Sequence, residues 1–290
     1  LIPVPAEPFS QPGVETPFPL YRLAGTQTLV HQIDLVDYIR FFHDRDPRLF
    51  FQQLSARLSA EGWLIIHLWE DVWRQRPEVV QSRLRALVGE SERIPARLTQ
   101  VRRIDRPTAV DFLARNHLQV PLAGRYKYGL FLPARYFRVL SDEFRERNAP
   151  AGDADWLVAV ATFAAARTFA DTYRSVELIR FANRLNCTVV GGLDKLLKAF
   201  INDHQPNDVM TYADHDWSDG RSYERLGFER QTLTEPQQFW VKPGEWIRYY
   251  PHRLPNGLTE SRLPELGYVP VYNAGSIKFV KLPEPQRRSA

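Results

Sequence analysis

Two rhythms of apolar residues run along this chain, and they mark out its elements before any chemistry is considered. Leu29-Val30-His31-Gln32-Ile33-Asp34-Leu35-Val36 and the strongly apolar run Trp63-Leu64-Ile65-Ile66-His67-Leu68-Trp69 have strand length, whereas Pro47 to Ala60 places Phe50, Leu54 and Leu58 on one helical stripe that Gly62 ends. A further helix is predicted from about Pro77 to Val88, with proline at a permitted first-turn position. Pro107 to Arg115 predicts a short helix with Ala109, Phe112 and Leu113 on one face. Strands follow at Tyr126 to Leu132 and Leu157 to Phe163.

The pattern is clearest between residues 176 and 228. Val176, Leu178, Ile179 and Phe181 suit a mostly buried strand, and Leu193, Leu196, Leu197, Phe200 and Ile201 recur at helical spacing. Asp208 to Ala213 reads as a short strand, followed by a polar loop from Asp214 to Gly220. Near the carboxyl end, Phe239-Trp240-Val241 is strand-like, and Tyr268 to Tyr272 with Ile277 to Val280 predicts a terminal hairpin across Asn273 to Ser276. Residues 1–20 contain six prolines and little periodicity, so they read as an extended arm with few contacts of its own. Residues 133–155 are charged and punctuated by Gly and Pro, as expected of a surface insertion, and 283–290 read as a disordered tail.

Composition adds bounds. With 290 residues, 44% hydrophobic and 25% charged, the chain is ordinary for a globular protein and long enough for two domains. Cys187 is the only cysteine, so no disulfide forms within the chain and a reducing cytoplasm is expected. No run of about 18 apolar residues is present, which argues against a spanning helix and a membrane partner. Leu1-Ile2-Pro3 has neither the basic nor the apolar region of a signal peptide, and the start without Met suggests a trimmed or fragmentary chain.

The net charge of +4 is mild, but eight arginines against three glutamates lie between Arg74 and Arg103. Arg74, Arg76, Arg83 and Arg85 are the candidate phosphate contacts for DNA, since a guanidinium pairs two oxygens at once. A solvated helix face with a basic linker has the same composition. The run Trp246 to Arg253 is similarly two-sided: a surface that stacks bases, or a core-edge strand with snorkelling arginines.

Gly191-Gly192 stands at the entrance of the helix that begins near Leu193. Glycines there allow close approach to the free N–H groups of the first turn, which favour a phosphate; the plain alternative is a tight turn. This strand, glycine turn, helix and strand, closed by Tyr223-Glu224-Arg225-Leu226-Gly227-Phe228, resembles the acetyl-CoA-binding core of the GNAT acyltransferase superfamily over about Val101 to Val241. The closing hexapeptide is similar to the family's Tyr-x-x-Leu-Gly-Phe-like motif. The resemblance implies acetyl-CoA bound by Val189, Val190, Gly191, Gly192, Leu193, Asp194 and Lys195, with Tyr223 as the acid for the departing thiolate and Glu177 as the base. As read from the strand alone, Glu177 is equally a surface carboxylate. His117 reads as a turn residue or a substrate contact.

A second resemblance lies upstream. Gly62 to Trp73, followed by Glu78 to Leu84, looks like the end of very-short-patch-repair endonuclease domains and phage homing endonucleases of the PD-(D/E)XK class. Such nucleases hold a divalent metal with acidic residues, but Asp34, Asp37, His43, Asp44, Asp46, Glu70 and Asp71 form no convincing framework, and no metal is expected. The expected architecture is α/β (α+β): an extended arm (1–20), a degenerate endonuclease-like domain (21–98) and a GNAT-like mixed sheet with flanking helices (99–282). The expected function is an acyl-CoA-dependent N-acyltransferase of phage or mobile-element ancestry, or a DNA-associated binding protein of the same ancestry.

Overall fold

Strands that read as continuous apolar runs are those covered on both faces, and the first two runs behave this way. In the computed structural model, which describes residues 2–150, 152–169 and 172–283, β1 (Ala6–Pro8), β2 (Leu20–Leu23), β3 (Thr28–Ile33) and β4 (Leu64–Trp69) form one sheet in that order. β3 and β4 are parallel, with His31 opposite His67 and Ile33 opposite Trp69. Their crossover carries α1 (Leu35–Phe41) and α2 (Phe50–Ala60). α1 begins at Asp34, whose carboxylate accepts from the Val36 and Asp37 N–H groups at 2.8 and 3.3 Å. α3 (Glu70–Gln75) and α4 (Pro77–Leu87) follow β4. The proline-rich start is not a loose arm: β1 pairs antiparallel with β2, and Val4 and Phe18 are buried. Proline at the outer edge of a sheet removes no bond that the sheet needs.

The next stretch builds a larger sheet. β5 (Glu92–Pro95), β6 (Gln100–Arg103), α5 (Arg106–Asn116), β7 (Tyr126–Leu132), α6 (Asp142–Asn148), β8 (Trp156–Phe163), β9 (Arg167–Phe169), β10 (Tyr173–Asn183), β11 (Cys187–Val190), α7 (Gly192–His204) and β12 (Asp208–Asp214) follow in turn. The sheet includes the order β12-β10-β8-β7-β6, with β9 also beside β10; β10 and β12 pair in parallel, whereas β10 with β8 and β9, β8 with β7 and β7 with β6 pair antiparallel. Ala109, Phe112 and Leu113 of α5 pack with Val160 and Ala182 on one face. Phe200 of α7 stacks on Phe163 at 3.9 Å on the other. The end of α7 is pinned to β7 where the Tyr128 hydroxyl donates to Asp203 at 2.7 Å, and Arg103 pairs with the same carboxylate at 2.8 Å.

Residues 133–155 are anchored to this sheet. They contain a 3-10 turn (Ala134–Val139) and α6, with Leu140 buried between them. The Ser141 N–H and hydroxyl donate to Glu92 at 3.1 and 2.8 Å, Phe137 and Phe144 lie against Trp156, and Arg102 pairs with Asp155.

The remaining elements are α8 (Arg221–Glu224), β13 (Glu229–Leu233), β14 (Gln238–Val241), β15 (Arg248–Tyr249), β16 (Val269–Tyr272) and β17 (Ser276–Lys281). β16 pairs with β14, not with β17, so the expected terminal hairpin does not form. The expected disorder of the tail falls on residues that, from 284 onward, lie outside the described ones. Among the described residues no helix is long and apolar enough to cross a membrane.

The chain is a mixed α/β protein that divides into two compact units: 1–84 with 212–222 and 230–278, and 85–211 with 223–229 and 279–290. Residues 230–278, grouped above with the carboxyl-terminal domain, thus belong to the first unit. Phe239, Val241, Val271 and Ala274 complete a core begun by Ile33, Leu35, Tyr38, Phe51 and Trp69. Two buried polar contacts fasten these distant segments together. Asp216 accepts from Trp69 Nε1 at 3.2 Å and from the Ala274 N–H at 2.8 Å; burial, with Asp214 beside it, pushes its carboxyl up to about 8. Arg248 pairs with Asp71, its Nη2 at 2.9 Å from Oδ1, and its guanidinium lies 5.1 and 5.2 Å from the Trp69 and Phe239 ring centres. The Asp71 side chain is 2% exposed and that of Arg248 18%.

Removing one member of such a pair strands the other charge in the core. Arg248→Met is expected to cost about 3–5 kcal/mol in urea unfolding, whereas Asp71→Leu with Arg248→Met should cost much less, because no unpaired charge remains. Equal losses in the two variants would contradict this role for the pair.

Candidate functional site

The glycine turn lies in the second compact unit, between β11 and α7. Gly191 has φ +78°, a left-handed conformation that favours glycine. Gly192 is glycine for a different reason: an added Cβ would sit 3.0 Å from Val189 Cβ and 3.2 Å from Leu130 Cδ1. Gly192, Leu193 and Asp194 form the first turn of α7, so α7 itself supplies no acceptor for their N–H groups. Gly191 and Val190 are exposed, which leaves the turn open to solvent. Val189 is buried in β11, paired with Ile94 of β5.

The charges around this turn are arranged favourably for an anion. Asp194 would oppose a phosphate at the helix start, but its carboxylate is drawn to Lys198, 2.7 Å away and one turn on. The Lys195 ammonium donates to the main-chain carbonyls of Ala96, at 2.8 Å, and Thr99, and burial lowers its pKa. It therefore ties the first turn of α7 to the β5–β6 connection and leaves a positive charge there with no carboxylate bonded to it.

The parallel ladder of β10 and β12 runs from Ser175 opposite Asp208 to Leu178 opposite Thr211. The register of β10 against β8 then shifts between Leu178 and Arg180. The Thr211 hydroxyl donates to the Leu178 carbonyl at 3.0 Å, closing the last rung. Glu177 alternates with the buried Val176 and Leu178 and is half-buried on the opposite face of β10. Tyr223 lies on α8 with its ring 5.5 Å from that of Phe228 and 5.6 Å from that of Phe279. The Tyr-x-x-Leu-Gly-Phe segment closes on itself, with the Phe228 N–H bonded to the Tyr223 carbonyl. Cys187 is no candidate nucleophile, because burial pushes its thiol up to about 12.

The candidate DNA contacts each have neighbours within their own unit. Arg74 pairs with Glu70 at 3.3 Å and lies over Trp246; Arg76 ends α3, its N–H bonded to the Val72 carbonyl; Arg83 lies over Trp217 at 5.1 Å. Arg85 belongs to the second unit and lines a polar depression of about 370 Å³ with Glu90, Glu92, Glu143 and Arg147. In the run Trp246 to Arg253, Arg248 takes the core-edge role, buried against Asp71.

The acidic residues upstream are likewise occupied by the fold. Asp34 caps α1, Glu70 accepts from the Leu35 N–H at 3.2 Å, and Asp71 holds Arg248. Asp37, Asp44 and Asp46 pair with Arg40, His43 and Arg48. Among the described residues no group of three or more His, Cys, Asp or Glu is placed to hold a metal ion. His117 accepts from the Gln119 N–H at 3.0 Å, as a turn residue does. Sequence reasoning passed over His31 and His67, although a histidine inside each apolar strand was the visible signal.

No family model matches the chain, and no curated protein matches it. Solved structures similar to it include the histone acetyltransferase HPA2 and related acetyltransferase of Corynebacterium glutamicum ATCC 13032, at 12% identity and a TM-score of 0.35, covering 65% of this chain and 98% of that one. A Bacillus subtilis acetyltransferase in complex with CoA matches at 11% identity and a TM-score of 0.34, with coverages of 64% and 99%. The ribosomal-protein-S18-alanine N-acetyltransferase of Escherichia coli matches at 14% identity and a TM-score of 0.34, with coverages of 66% and 98%.

Proposed function

We propose that the second compact unit binds an acyl-CoA at the Gly191 turn and that the chain is an N-acyltransferase of the GNAT type. The observation that carries this reading is a parallel strand pair, β10 and β12, joined through a helix whose first turn is opened by a left-handed Gly191. In this reading the pyrophosphate accepts from the N–H groups of Gly192 to Asp194, at the positive end of the α7 dipole. Val189 and Val190 form the approach, Leu193 the apolar flank, and Lys195 holds the turn rigid while adding positive charge. Asp194, drawn to Lys198, does not compete.

Transfer to an amine needs a base for the ammonium and an acid for the departing thiolate. Glu177 on β10 takes the first role and the Tyr223 phenol the second. The amine nitrogen attacks the thioester carbonyl, the C–S bond breaks, the phenolic proton passes to sulfur, and the proton shed by the acylated nitrogen restores the phenol. The protein's contribution is mainly to hold amine and thioester in line.

Calorimetric titration of the full chain with CoA tests the reading, and no detectable heat at millimolar ligand would end it. Val190→Glu places a negative charge beside the turn at an exposed position, so it should weaken CoA binding by up to about fivefold while leaving thermal stability unchanged. Gly192→Asp adds crowding to charge and should abolish binding.

Tyr223→Phe should leave CoA affinity nearly intact and slow turnover by about 10²-fold or more, the effect of losing a positioned acid. Turnover equal to wild type would remove Tyr223 from the mechanism. Duplex DNA titrated in parallel distinguishes the DNA-associated alternative, which requires DNA binding without CoA binding.

A further inference from the structure

His31 on β3 and His67 on β4 face each other in the interior of the first compact unit, both with no exposed surface. Their Nδ1 atoms are 3.0 Å apart. Thr16 Oγ1 lies 2.7 Å from His31 Nε2, and Ser55 Oγ lies 2.8 Å from His67 Nε2, so all four ring nitrogens are engaged. Two Nδ1 atoms at this distance hold one proton between them: one ring donates and the other accepts.

Whichever ring donates, the other must accept, and the hydroxyls of Thr16 and Ser55, which can each donate or accept, complete either arrangement. The Thr16 oxygen also accepts from the Phe18 N–H at 3.2 Å.

We propose that the Thr16–His31–His67–Ser55 chain is a proton-operated lock on the first compact unit, closed while the two imidazoles share one proton and opened when a second proton arrives. A second proton sets two N–H groups against each other across 3.0 Å and creates a buried cation. No ring nitrogen is left to meet a carboxylate. The neighbours offer no relief: Phe18 and Phe51 present rings, and Leu20 of β2 lies opposite His31. From residues 212–222, His215 opposes positive charge on His67. Asp216 meets His67 only main chain to main chain, its carbonyl accepting from the His67 backbone N–H at 2.9 Å, while its carboxyl oxygens accept from Trp69 and Ala274.

The sign follows from where the protons bind. Burial lowers His31 to about 3 and His67 well below its ordinary value, while an unfolded histidine takes its proton near 6.5. Below that pH the unfolded state binds more protons, so stability is complete above it and is lost as pH falls towards the folded values. Asp216, raised to about 8, acts in the opposite sense, since its contribution is lost as pH rises from its ordinary value towards 8. His215 and His204, also lowered by burial, add to the loss below about pH 6.5 in the same sense, so the share of His31 and His67 is read from the difference between the wild type and a variant of the pair.

Two measurements on the full chain test the lock. Imidazole nitrogen NMR of the wild type from pH 7.5 to 5 should show one Nδ1 of the pair protonated and the other not, with both rings unchanged while the chain stays folded. Either ring titrating near 6.5 in the folded chain would overturn the proposal. Urea unfolding, followed by tryptophan fluorescence because six of the seven tryptophans lie in the first unit, gives the protons taken up between pH 6.5 and 4.5. His67→Gln, which keeps a donor and an acceptor without titrating, should take up about one proton fewer than wild type towards pH 4.5; equal uptake would also refute the lock. Should that variant not fold, the wild-type NMR decides alone.

Discussion

Parallel strands cannot be joined by a tight turn, and the pairing of β10 with β12 therefore requires a crossover long enough to carry a helix. That requirement organises the second compact unit. It sends the chain out past the end of β10, through β11, and back along α7 on the face opposite α5, with Gly192 at the start of α7 set against Leu130 of β7. Gly191 and Gly192 make the entry possible, one by its left-handed backbone and the other by the space Val189 and Leu130 deny to a side chain. A site with exposed helical N–H groups is thus a consequence of topology, and the proposed chemistry uses what the crossover already provides.

The first compact unit faces a different constraint. Its core draws on chain segments far apart in sequence, and aromatic packing among Phe18, Tyr38, Phe51 and Trp69 is not directional enough to select which segments meet. Buried polar contacts supply that selection: Asp71 with Arg248, Asp216 with Trp69 and Ala274, and His31 with His67. Among the described residues every buried side-chain polar atom has a partner, the condition under which such contacts specify a core and do not weaken it. The cost is sensitivity: the Asp71–Arg248 pair needs both charges, and the histidine pair needs both rings neutral.

Local pattern was legible in the sequence. The strand Tyr126–Leu132 has the bounds its apolar residues imply, and the helix after the glycine pair buries Leu196, Leu197 and Phe200 as their spacing requires. These features depend on side-chain alternation and backbone conformation within a few residues, which the sequence carries directly. The tertiary structure decided partners and register. β16 joined β14 although a hairpin with β17 was equally compatible with its residues, and residues 230–278 joined a core begun by residues 18–69. The arginines between 74 and 103 were compatible in sequence with a DNA contact or with a solvated helix face, and only the fold gave Arg74 its Glu70 partner and set Arg83 over Trp217. His31 and His67 became a pair only because β3 and β4 align in one register. An apolar strand is compatible with many neighbours, so the choice among them rests on contacts between residues distant in the chain, which no local pattern records.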